Sequence, residues 1–177
     1  DAYSKALAAK PDHAEASYKI GIALKGGKCE GPSLGLQKLI GSLLNQNNSV
    51  RPRDIAPAAI SLLKFEPNLQ KHLQEPSIDK TGQLLQQTVL ELSDLPLLLK
   101  LMSVCPLTDL GLETLLKKIR AMILLALPSF ESTSGVLEFQ SVLALQCFTN
   151  EYIYGRSTEE EKAIVALETS VEDTLTK

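Results

Sequence analysis

From Leu110 to Leu127 the residues Leu112, Leu115, Leu116, Ile119, Met122, Ile123 and Ala126 recur three and four positions apart. That interval lines up one face of an α-helix and scatters residues over both faces of a strand. The same spacing returns at Leu36, Leu39, Ile40, Leu43 and Leu44. It returns again at Ile55, Ala59, Leu62 and Leu63, and at Leu84, Leu85, Thr88 and Leu92. Leu97, Leu98, Leu101 and Val104 repeat it once more. No stretch alternates apolar and polar residues with period two. The chain reads as all-α. Leucine supplies 33 of its 177 residues, enough to bury one sizeable core or two small helical layers.

Capping residues and prolines divide the pattern into short helices. A divergent helix is expected from about Ser33 to Leu44, followed by the polar loop Asn45–Ser49. Asp54 is the expected cap of a helix through Phe65, with Pro57 tolerated in its first turn. Pro67 opens a short helix through Gln74, and Asp79 caps one from Lys80 to Leu92. Asp94 caps the next, with Pro96 in its first turn. Asp109 or Thr108 opens the helix that Pro128 stops. A helix from about Gly135 to Tyr154 is apolar almost all round between Val142 and Phe148, which predicts the central, buried helix. Ser157-Thr158-Glu159-Glu160 is a capping box, and Ile164, Val165, Leu167, Val171 and Leu175 carry the last helix.

Composition narrows the functional classes. Lys+Arg number 18 against 21 Asp+Glu, the net charge is −3, and no basic run exists. Bulk-charge binding of nucleic acid is excluded on that balance. Tryptophan is absent and aromatics are 5%, too few for a base-stacking platform. The longest apolar run, Ala121–Leu127, falls far short of the roughly 20 residues that cross a bilayer, so no membrane partner is expected. Cys29, Cys105 and Cys147 have neither disulfide nor metal spacing, which fits a cytoplasmic setting; Cys105 and Cys147 read as small buried hydrophobes. His13 and His72 read as surface histidines. Gly26-Gly27 reads as a helix end, not a phosphate loop. Lys117, Lys118 and Arg120 read as a solvated edge, and Glu159–Glu161 as favourable charge at a helix N-terminus. No catalytic, cofactor-binding or metal-ligating constellation emerges.

The first 26 residues resemble the tetratricopeptide repeat. Tyr3, Ala6 and Pro11 match its second helix and closing proline. Ile20-Gly21 and Leu24 match the Leu-Gly pair and large residue of the next first helix, with Asp12 and Glu15 as its capping box. Gly21 would allow close helix approach. Ser17 departs from the pattern, where a large aromatic is expected, and the match fades after Gly27. Residues 1–46 are therefore expected to form the C-terminal edge of a repeat array, and 47–177 an α-helical linking domain. Both chain ends lie inside helical patterns, which reads as a segment cut from a longer protein. On the first full helix Glu15, Tyr18, Ile22 and Lys25 share one face and are the candidate contacts for a protein or peptide partner.

A second resemblance lies near the other end. Cys147-Phe148-Thr149-Asn150-Glu151-Tyr152, followed by Thr158-Glu159-Glu160-Glu161, is similar to the helical region of certain bacterial proteins. Those proteins join a tetratricopeptide array to an S-adenosylmethionine-dependent methyltransferase. The resemblance implies a non-catalytic interaction and linking segment ahead of such a domain. S-adenosylmethionine would then bind only downstream, and no cofactor is expected in this segment. Asn150, Glu151, Tyr152 and Tyr154 are the candidate contacts to an adjoining domain of the same chain. An interaction scaffold with no enzyme attached is the alternative.

Overall fold

A computed structural model describes Lys5 and residues 13–45, 50–74, 82–127, 130, 133–149 and 157–176. The described residues form nine helices and no strand. These are α1 (Ala14–Leu24), α2 (Leu34–Asn45), α3 (Pro52–Leu63), α4 (Pro67–Gln74) and α5 (Gly82–Ser93). They continue with α6 (Pro96–Val104), α7 (Leu110–Ala126), α8 (Ser134–Thr149) and α9 (Thr158–Leu175). No described helix is long and apolar enough to cross a membrane.

Local signals set several helix starts as expected. The Asp109 carboxylate accepts from the Leu112 N–H at 3.2 Å and caps α7. Ser157 and Glu160 form the capping box of α9, each side chain bonding the other's backbone N–H. Gly26, at φ +64°, follows the last turn of α1, where a left-handed residue favours glycine.

Other starts differ. His13 caps α1, its Nδ1 accepting from the Ala16 N–H at 3.3 Å, while Asp12 lies outside the described residues. Asp79 also lies outside them. Asp54 is not a cap: α3 begins earlier, with Arg51 at the cap position and Pro52 in the first turn. Pro57 consequently sits inside the helix, where its missing N–H deprives the Arg53 carbonyl of a donor. Leu95, not Asp94, precedes α6, and no side chain caps that helix.

The centre of the fold also differs from expectation. It is α6, packed against α2, α3, α5 and α8. Leu97, Leu98, Leu99, Leu101 and Met102 are all buried there, so the helix is enclosed on nearly every side. The α8 helix buries only Val136, Phe139, Val142, Leu143 and Gln146. Leu137, Ala144, Leu145 and Phe148 face outward, Phe148 at 85% exposure, and Cys147 is half-buried. Apolar content all round a helix marks burial only where enough neighbours surround it.

Gln146 closes the centre. Pro106 has no N–H to offer the Met102 carbonyl, its helical partner four residues earlier. The Gln146 amide fills that place, donating to Met102 O at 2.6 Å and Cys105 O at 2.9 Å. Its Oε1 accepts from the Leu107 N–H at 3.0 Å. One buried side chain from α8 thus satisfies three backbone groups where α6 ends.

The principal partner of α1 is α3, whereas α2 lies on α6 and α3. A regular helical-hairpin repeat would pair α1 with α2. The change of partner falls where the repeat pattern fades.

Candidate functional site

The α1 face toward α3 is made of small residues. Ala16, Ser17 and Gly21 are buried there together with Ile20. A Cβ on Gly21 would stand 2.7 Å from a methyl of Val50, just ahead of α3, so any larger residue forces Val50 to shift. The connection after α1 is strapped to α3. The Gly26 N–H donates to Asp54 O at 3.0 Å. The Cys29 N–H donates to Ser61 Oγ at 2.8 Å, and that hydroxyl donates to Ala58 O at 2.8 Å. Lys25 Nζ lies 3.6 Å from the Asp54 carboxylate at the surface.

These straps shape a cleft of about 150 Å³ lined by Tyr18, Gly21, Ile22, Lys25, Val50, Arg51 and Asp54. Tyr18 is 50% exposed and Ile22 53%. Three of the four residues expected to contact a partner therefore meet in one place. Glu15 is exposed on the same helix and does not line the cleft. Val50, Arg51 and Asp54 carry no sequence signal for this cleft, because the α1–α3 pairing that brings them in is not a local feature. Ring, aliphatic and methyl surfaces form the walls, and Lys25, Arg51 and Asp54 supply charge at the rim. Such a cleft fits one apolar side chain of a partner with polar neighbours.

The second expected group, Asn150, Glu151, Tyr152 and Tyr154, lies outside the described residues.

Ionisable side chains elsewhere form structural ties. His72 was expected at the surface and is instead buried. Its Nε2 lies 2.7 Å from Glu91 Oε2, linking α4 to α5. Glu91 titrates below the ordinary carboxylate value of 4.5, chiefly through the bond from Gln87, then the bond to His72 and the nearby Lys71 charge, against the effect of burial. Arg120, expected on a solvated edge, bonds the buried Glu160 at 2.7 Å and ties α7 to α9. Burial raises the Glu160 pKa, but the Ser157 N–H and Arg120 outweigh it and leave the carboxyl low. Asp109 is likewise lowered, as the Lys64 ammonium and the Leu112 N–H overcome its burial. Cys105 is buried, which pushes its thiol up to about 11, and burial also raises Cys147. Neither is a reactive thiolate at neutral pH. Among the described residues no group of three or more His, Cys, Asp or Glu could hold a metal ion.

Comparisons with protein-family models, curated proteins and solved structures yield no match to this chain.

Proposed function

We propose that the chain is a non-catalytic helical segment that binds a protein or peptide and links domains of a larger protein. The cleft between α1 and α3 carries this reading: an exposed aromatic, an aliphatic and three charged side chains converge on a braced concavity. The tetratricopeptide character of residues 1–26 supports a repeat edge at this end. The Cys147–Tyr152 segment with Thr158–Glu161 supports an S-adenosylmethionine-dependent methyltransferase downstream, in a bacterial parent protein. Three free cysteines support a reducing, cytoplasmic setting.

Calorimetric titration of S-adenosylmethionine into the chain tests the non-catalytic part. No binding is expected, and stoichiometric binding would overturn it. The reading frame after Lys177 tests the linkage. A strand ending in an acidic residue and a glycine-rich turn supports the methyltransferase. A stop codon or further repeats would leave an interaction scaffold with no enzyme attached.

A further inference from the structure

Two surfaces remote from the α1 cleft complement one another. The first is a groove of about 530 Å³ between α2 and α6. Leu34, which is 66% exposed, forms apolar wall with Pro96 and Leu97. Gly41 leaves its α2 wall open, with nothing within 4 Å of where a Cβ would stand. Lys38 and Lys100 line it, one from each helix. Glu66 accepts a bond from the amide of Gln37, which lines the groove, and the exposed Asp94 lies two residues before Pro96.

The second surface is α9. Its 18 residues span about 27 Å. Its principal packing is on α7, and every residue from Val165 to Thr176 is exposed. Leu167, Val171 and Leu175 recur every fourth residue and form an apolar row. Glu168 and Glu172 form the adjacent row, again four apart. An exposed helix with one apolar row and one acidic row is built to lie against another surface.

The geometry points to docking of α9 of one copy into the α2–α6 groove of a second copy. The apolar row covers Leu34 and Pro96, and Glu168 and Glu172 approach Lys38 and Lys100. Complementary charge sets which helix lies in the groove. Antiparallel pairing of two α9 helices would instead bring acidic rows together. Because groove and helix are different surfaces, the contact is head-to-tail and leaves one of each free at the ends of an assembly. This inference does not depend on the proposed linking role.

Sedimentation equilibrium of the 177-residue chain over a wide concentration range tests it. The average mass is expected to climb with concentration without stopping at a dimer, unless a ring closes, and to fall with added salt. K38E/K100E and E168K/E172K should each weaken self-association about tenfold or more. Mixing the two should restore it, since each then offers what the other lacks. Val171→Asp, at an exposed position, should weaken association with the charges intact. Far-ultraviolet circular dichroism verifies that each variant is folded. A monomer at every concentration would overturn the inference, as would association indifferent to both reversals. A monomer that nevertheless binds a free α9 peptide in the groove would assign the groove to a different acidic helix and overturn the second-copy reading.

Discussion

The α6 and α9 helices both carry leucine and valine, which meet opposite fates in the two places. Nine residues long, α6 is enclosed by four helices and ends on the Gln146 bonds. The α9 helix is twice that length, is anchored near its start by the Arg120–Glu160 pair, and exposes Leu167, Val171 and Leu175. Leucine and valine do not dictate burial by themselves. The number of surrounding elements does, and the buried polar side chains fix how those elements meet. The α6 region is a core that the chain cannot lose, whereas α9 is an arm attached at one end.

The largest expected effect lies at the centre. Gln146→Leu keeps the volume but strands the Leu107 N–H and the Met102 and Cys105 carbonyls in a buried site. A loss of about 3 kcal/mol is expected in urea unfolding. A loss under about 1 kcal/mol would mean that Gln146 is not a brace.

Next comes the anchor of the arm. Arg120→Ala leaves Glu160 buried without its cation and should cost about 1–2 kcal/mol, with part of the α9 helical signal lost first. Acid provides an independent reading. A carboxyl held below its ordinary value stabilises the fold above that value and ceases to do so as pH falls through the lowered one. Glu91 and Glu160, ordinarily at 4.5, and Asp109, ordinarily at 3.8, are all lowered. Stability should therefore fall progressively below about pH 4.5, and less steeply in Arg120→Ala than in the wild type. Equal acid slopes would show that the pair does not hold Glu160 down.

The smallest effects come from two helical glycines with different surroundings. Gly41→Ala meets open space and should stabilise by about 0.5–1 kcal/mol. Gly21→Ala gains the same helix propensity but presses on the Val50 methyls, and should destabilise by about 1 kcal/mol. Stabilisation at both positions, measured by unfolding midpoints, would remove the close α1–α3 approach from this account.

The sequence made the helices legible where a signal is local. The Asp109 cap, the Ser157–Glu160 box and the Gly26 helix end each lie within a few residues of what they bond. The Pro67–Gln74 helix was also legible from its proline. What stayed hidden depends on distant partners. His72 looks like a surface histidine until Glu91, 19 residues on, comes beside it. Arg120 looks solvated until Glu160, 40 residues away, meets it. Residues 142–148 look like a core because six of the seven are apolar, yet Ala144, Leu145 and Phe148 are exposed. Of the candidate site, Tyr18, Ile22 and Lys25 were legible as a shared helix face. The opposite wall was not, because the pairing of α1 with α3 follows from strapping bonds between residues 25–29 and α3 that no periodicity announces.

Hydrogen exchange in dilute protein tests the contrast between core and arm most directly. Amides from Leu99 to Val104 should exchange only through global unfolding, and those from Val165 to Leu175 many times faster, through local opening of the arm. Equal protection of the two segments would contradict the account, since α9 would then belong to the core.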